Sequence, residues 1–227
     1  MNNITMLEII AKALNNLRKD FVFVGGSVAE LYADKPELSD IRPTNDIDCI
    51  IEISSNIEYY KLEDLLRKNG FKNDISDEAP ICRWIYKGIK VDVMPTDEKI
   101  LGFSNKWYLK GIENKISKQL QDGTSIFILS PEYYLATKFE AHNNRGTNDL
   151  RQSHDFEDII YLLDNKSDIM DYINNSSIEI KIYLKKQFFN LLKNPNILEG
   201  IESALSIGST AERAETIIDI FTNITKN

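Results

Sequence analysis

Cysteine is nearly absent from this chain. Only Cys49 and Cys82 occur in 227 residues, too few for a disulfide framework. Both fall in apolar, strand-like stretches and read as small buried hydrophobes of a reducing compartment. Histidine is as scarce. His142 and His154 are the two present, and neither has the sequence partners of a metal centre or a nucleophile–base pair. No apolar run is long enough to cross a bilayer, and no basic stretch leads into an apolar block at the N-terminus. The expectation is a cytoplasmic protein with no membrane partner. Low-complexity tracts and internal repeats are missing as well. So is an excess of positive charge: 27 Lys and Arg stand against 35 Asp and Glu, a net charge of -8. That excludes a general nucleic-acid coat, which needs many phosphate-neutralising cations, but leaves room for a local basic patch on one RNA.

What is present suits a globular chain of one large domain or two small ones, 42% hydrophobic and 27% charged. Residues 4–18 carry Ile4, Leu7, Ile10, Ala11, Leu14 and Leu17 at helical spacing. Phe21-Val22-Phe23-Val24 is apolar throughout, as in a strand covered on both faces. Gly25-Gly26-Ser27 follows, where the backbone can turn sharply and approach a ligand. Val28 to Tyr32 reads as a short helix. If it starts at Ser27, its unpaired N–H groups face the turn as an anion site. Taken alone, a plain strand-to-helix turn with Ser27 as N-cap is the better reading.

A polar loop then delivers Arg42, Thr44 and the pair Asp46 and Asp48. From Asp46 to Ile53 the pattern alternates, with Ile47, Cys49, Ile51 and Ile53 on one face and Asp46, Asp48, Ile50 and Glu52 on the other. Two carboxylates at i and i+2 therefore stand side by side at the start of a strand. Like charges that close are costly unless a cation lies between them. Hard divalent ions take such oxygen ligands together with phosphate oxygens. A lone Asp-x-Asp is a weak signal and would read as a solvated strand start. Downstream of a Gly-Gly-Ser turn it is much less ambiguous.

Ile57 to Asn69 is predicted as a helix with Leu62, Leu65 and Leu66 inward and Gly70 as its stop. Ile81 to Tyr86 and Ile89 to Met94 are two strands joined at Lys87-Gly88, a hairpin signal. In the second, Asp92 sits between Val91 and Val93. An edge strand with a solvated face would account for it. A third carboxylate beside Asp46 and Asp48 accounts for it better, because three carboxylates meet the needs of a two-metal site with ions roughly 3.5–4 Å apart. Pro95 to Gly123 shows no clear period; Ser125 to Leu129 is a further strand.

From Ser130-Pro131-Glu132 the pattern is helical: N-cap, proline at N1, acid in the first turn. The expected division is residues 1–129 and residues 130–227. In the first helix, which Gly146 should end, Tyr134, Lys138, Ala141 and Arg145 share a stripe. Lys138 reads equally as a phosphate partner or as a snorkelling lysine. Ser153-His154-Asp155 opens the next helix, where Asp155 and Asp158 form an i, i+3 pair that also complements the helix dipole. Helices are expected near 166–174, 178–193, 196–206 and 210–223, the last with a Ser209-x-x-Glu212 capping box. Lys181, Lys185, Lys186 and Lys193 make a basic face, by default a solvated one. The fold class expected is α+β: a mixed β-sheet with flanking helices, then a C-terminal helical bundle.

Gly25-Gly26-Ser27, Asp46-x-Asp48 and Asp92 together resemble the polymerase-β-type nucleotidyltransferase superfamily. More narrowly, Arg42-Pro-Thr44-x-Asp46-Ile-Asp48, SPEYYLATKFEAHNNRG and SHDFEDIIYLL resemble the AbiEii toxin family of nucleotidyltransferases. The resemblance runs from about Phe21 to Leu163. It implies that Gly25, Gly26 and Ser27 hold the triphosphate, with Arg42 and Thr44 beside them. Asp46, Asp48 and Asp92 would carry Mg²⁺ or Mn²⁺, Asp92 also serving as base. Lys138 would neutralise the triphosphate, and Asp155 with Asp158 would help hold the site. It further implies an NTP substrate, an acceptor hydroxyl on RNA (a tRNA end), protein or a small molecule, and a cognate antitoxin as partner. Two departures stand out: a longer interval between Ser27 and Asp46 than the superfamily has, and His154 where the family commonly carries a lysine. The competing reading is a nucleotide-sensing or partner-binding module on the same fold.

Overall fold

The computed structural model describes residues 1–36, 41–145, 149–205 and 210–226. The expected helix stop at Gly146 and the capping serine Ser209 lie outside the described residues. The chain forms two compact units. One comprises Met1–Val28 and Arg42–Ser130, the other Ala29–Ile41 and Pro131–Asn227. The architecture is α+β, with a mixed seven-stranded sheet and a helical C-terminal region.

In the first unit Asn2 caps helix α1 (Asn3–Leu14), its side chain accepting from the Thr5 N–H. The helix is shorter than its apolar spacing suggests. Asn15 adopts φ 51° and the chain continues as a 3₁₀ turn, Asn15–Lys19. Strand β1 (Phe21–Val24) is buried along its whole length. The short helix expected over Val28 to Tyr32 is a 3₁₀ segment that begins two residues earlier, Gly26–Tyr32. Strand β2 (Asp46–Ile51) leads to α2 (Asn56–Lys68), capped by Ser55. Leu62 and Leu66 of α2 are buried as expected, but Leu65 is 42% exposed. The buried stripe of α2 runs through Tyr59, Leu62 and Leu66, and Leu65 falls to one side of it, so the inward assignment of Leu65 is corrected.

Strands β3 (Lys72–Asn73), β4 (Arg83–Tyr86) and β5 (Ile89–Pro95) come next. Lys87 and Gly88 join β4 to β5 at φ 48° and 82°, the double positive φ of a two-residue hairpin turn. Helices α3 (Glu98–Leu101) and α4 (Tyr108–Glu113) and strand β6 (Ile116–Gln119) fill the region without clear period, and β7 (Ser125–Ile128) closes the unit. The sheet order is β3-β4-β5-β2-β1-β7-β6. The strand carrying the Asp-x-Asp pair therefore runs through its middle, parallel to β5 and antiparallel to β1.

The second unit holds α5 (Pro131–Arg145), α6 (His154–Asn165), α7 (Ile169–Asn175), α8 (Ile178–Leu192), α9 (Ile197–Ala204) and α10 (Thr210–Lys226). Aromatic rings tie α5, α8 and α10 together: Phe188 lies 4.9 Å from Phe139 and 4.8 Å from Phe221. The segment before Arg42 belongs here through Tyr32, which stacks on Tyr134 at 4.7 Å, and through Asp34, whose carboxylate accepts from Lys166 and Ser167. Among the described residues no helix is long and apolar enough to cross a membrane.

Candidate functional site

The sheet register sets the site. Across four neighbouring strands, Arg83 of β4 stands opposite Asp92 of β5, Asp92 opposite Asp48 of β2, and Asp48 opposite Val24 of β1. Residues paired in register project to the same face, and Asp46, two positions before Asp48, shares it. The three carboxylates singled out in the sequence thus belong to one row and its neighbour. Trp84 and Val91, on the opposite face, are buried and fix which way the row points.

Arg83 was not anticipated. Its Nε donates to Asp92 Oδ1 and its Nη2 to Asp92 Oδ2, both at 2.7 Å. Nη2 also donates to Asp46 Oδ2 at 3.2 Å. The planar guanidinium therefore grips Asp92 as a fork and reaches Asp46 with the same nitrogen. These bonds to Asp92 raise Arg83 above its ordinary pKa despite the opposing effect of partial burial. It is a permanent cation here.

Gly25 ends β1 at φ 74°. A Cβ on it would stand 2.0 Å from Asp48 Oδ2. The glycine is demanded twice, by backbone conformation and by the carboxylate lying against it. Gly26 opens the 3₁₀ segment. Ser27 is buried, and its hydroxyl donates back to the Val24 carbonyl at 3.4 Å rather than capping a helix.

Thr44 and Arg42 are fastened to α1 through Asn3, a buried polar residue that no local spacing singles out. The Asn3 side-chain amide donates to the Arg42 carbonyl at 3.2 Å, and its oxygen accepts the Thr44 N–H at 3.0 Å. The Thr44 hydroxyl lies 3.1 Å from the Asp46 carbonyl, nearer than its other acceptor, Asn3 Oδ1 at 3.3 Å. Asn3 and Thr44 thereby hold the backbone of Asp46 in place.

Lys138, Asp155 and Asp158 form a second group, within the helical unit. The Lys138 ammonium lies 2.5 Å from Asp158 Oδ2 and 3.3 Å from Asp155 Oδ1, and Arg145 meets the other oxygen of Asp155 at 2.8 Å. All three of Lys138, Asp155 and Asp158 are buried. The lysine expected to meet a triphosphate is here met by two carboxylates that bind α5 to α6. His142 Nδ1 lies 2.6 Å from the Ser153 hydroxyl, which caps α6 by accepting the Phe156 N–H. His154 is exposed beside Glu157.

The donor set of the row is oxygen only. Asp46 and Asp48 suit a hard divalent cation, and the missing side chain of Gly25 is what lets the Asp48 carboxylate lie against the turn. Arg83 binds both oxygens of Asp92, so a guanidinium already compensates the third carboxylate of the row. Among the described residues no group of three or more His, Cys, Asp or Glu side chains is placed to hold a metal ion. The cysteines take no part: burial, with Asp92 and Asp48 nearby, pushes the Cys82 thiol up to about 12 and that of Cys49 well above its ordinary value. Both stay protonated at neutral pH and are poor nucleophiles.

No family model matches the chain, and no curated protein sequence matches it. Among solved structures, JHP933 from Helicobacter pylori is similar with a TM-score of 0.49 and 14% identity, over 100% of this chain and 93% of that one. An H. pylori protein described as a "putative nucleotidyltransferase" is similar with a TM-score of 0.47 and 14% identity, over 99% of this chain and 93% of that one.

Proposed function

We propose that the chain is a metal-dependent nucleotidyltransferase that moves NMP from an NTP to an acceptor hydroxyl. The observation that carries this reading is the register that sets Asp92, Asp48 and the turn at Gly25 across three adjacent strands, with Asp46 two residues away on the same face. Phosphoryl-type transfer asks a protein for positioning and charge neutralisation more than for covalent chemistry.

In the proposed reaction Asp46 and Asp48 would hold Mg²⁺ or Mn²⁺, which when bound would supply charge neutralisation of the triphosphate. The backbone of Gly25, Gly26 and Ser27 cradles the phosphates, with Arg42 and Thr44 lining the approach. The acceptor oxygen bonds to the α-phosphorus, the bond from that phosphorus to the bridging oxygen breaks, and pyrophosphate leaves. Asp92 takes the acceptor proton; each of its oxygens keeps a lone pair beyond the one Arg83 uses. The acceptor class is an RNA such as a tRNA end, a protein or a small molecule, and an antitoxin-like partner belongs to the same proposal.

A second reading, a nucleotide-sensing or partner-binding module, is favoured by one observation: Arg83 already compensates Asp92 and Asp46. Incubation with each α-³²P-labelled NTP, Mg²⁺ or Mn²⁺, and total RNA or lysate separates the two. Transfer of label by the wild type and not by Asp46→Asn/Asp48→Asn supports the enzyme. Tight NTP binding with no label on any acceptor favours the sensor.

A further inference from the structure

The cation between Asp46 and Asp92 is already part of the protein. Arg83 Nη2 lies 2.7 Å from Asp92 Oδ2 and 3.2 Å from Asp46 Oδ2, and Nε closes the fork on Asp92 Oδ1 at 2.7 Å. A guanidinium nitrogen, and so a fixed positive charge, thus links the two carboxylates. We infer that Arg83 replaces one of two divalent ions, so that the carboxylate row binds a single divalent cation, held by Asp46 and Asp48. The inference rests on the transferase reading and deepens it.

Three features argue that the guanidinium stays. Its strand position puts it directly opposite Asp92, so the contact needs no reach across the site. The side chains of Arg83 and Asp92 are largely shielded, at 17% and 12% exposure, and a shielded pair is screened less than a surface one. An arginine cannot give up its proton to make room as a lysine can. Asp46, at 35% exposure, is the more open end, and its contact with Arg83 is the longer one. A cation arriving with the triphosphate meets Asp46 and Asp48 first. A second cation would have to displace a two-bond fork.

The arrangement assigns Arg83 a positioning role. It fixes the orientation of Asp92 and supplies a permanent positive charge beside it. It does not touch the reacting atoms.

Mn²⁺ binding to the full chain, counted by electron paramagnetic resonance of the free ion and by calorimetry, tests this without any turnover. The wild type is expected to bind one Mn²⁺ per chain at the row. Asp46→Asn/Asp48→Asn should abolish that site. Arg83→Gln should raise the count from one to two, and Arg83→Gln/Asp92→Asn should return it to one. Asp92→Asn alone should leave the single ion bound within about threefold of wild-type affinity, and this arm needs no change at Arg83 should that variant fail to fold. Two ions on the wild type, both lost in Asp46→Asn/Asp48→Asn, would overturn the inference while leaving the transferase reading intact. So would a tenfold or greater loss of affinity in Asp92→Asn. Absence of any Mn²⁺ site sensitive to Asp46 and Asp48 would remove the transferase reading itself, and the inference with it.

Discussion

Gly25 and Asp48 lie in such close contact that a single methyl group on Gly25 would stand 2.0 Å from the Asp48 carboxylate oxygen. The strand-ending turn and the Asp-x-Asp strand are therefore not two separate motifs. They are one packed unit, joined where Val24 pairs with Asp48 across β1 and β2.

Gly25→Ala should consequently damage both stability and the carboxylate pair. The φ of 74° alone costs a non-glycine residue about 1–3 kcal/mol, and Asp48 must also rotate away. Thermal unfolding should show the loss of stability, and Mn²⁺ titration should show weaker binding. An alanine variant as stable and as metal-competent as the wild type would mean that the contact is relaxed in solution.

Asn3→Ala tests the bracket that holds Asp46. The amide serves the Arg42 carbonyl and the Thr44 N–H at once, and truncation leaves partly buried backbone groups unpaired. The expected cost is about 1–3 kcal/mol. Thr44→Val removes only the hydroxyl bond to the Asp46 carbonyl and should cost about 1 kcal/mol. Its effect on Mn²⁺ affinity should exceed that of an exposed substitution such as Lys72→Ala. Denaturant unfolding and metal titration on the same samples separate the two effects.

Much of this region is legible in the sequence, and the limits are physical. An unbroken apolar run gives β1, and Lys87-Gly88 gives the hairpin, because local backbone preference decides both. Asp92 stands out because an acid between two valines is costly unless it has a partner. That partner, Arg83, was also within reach. Tyr86 and Ile89 flank a two-residue turn and pair with each other, so three residues back and three residues on are Arg83 and Asp92. Asn3 was not legible, because its partners are 39 and 41 residues away and no local spacing announces them. Pro95 to Gly123 hid a four-residue helix, a six-residue helix and an edge strand, each too short to establish a period. Lys138 showed as a cation on an apolar stripe, but its neutralisation by Asp155 and Asp158 depends on how α6 packs on α5.

Lys138→Met should destabilise the helical unit before it affects nucleotide binding. Removing the cation takes from two buried carboxylates the partner they share, with Arg145 left on one oxygen of Asp155, and breaking such a buried pair costs about 3–5 kcal/mol. Lys138→Met/Asp158→Leu should recover part of the loss, because the second change removes a buried carboxylate whose ion pair with Lys138 is already broken. If Lys138→Met unfolds like the wild type but loses NTP affinity at least tenfold, the lysine serves the triphosphate and not the helix pair.

The pH response should identify His142. Burial lowers its pKa from the ordinary value near 6.5, only partly opposed by the charge of Asp155. Between the lowered folded value and about 6.5 in the unfolded chain, the unfolded state binds more protons than the folded one. Stability then rises with pH across that window and falls as pH drops through it. The ring is tied to the N-cap of α6: His142 Nδ1 lies 2.6 Å from the Ser153 hydroxyl, whose oxygen accepts the Phe156 N–H. Melting temperatures measured from pH 7.5 to 5.5 should decline in the wild type, and Asp34, whose carboxyl is held low by bonds from Ser167 and Lys166, contributes its own loss only in more acid solution. His142→Gln should flatten the decline between pH 7.5 and 5.5 while leaving the acid limb unchanged. A wild-type curve that is flat or rising toward pH 5.5 would mean that the ring is charged in the folded protein.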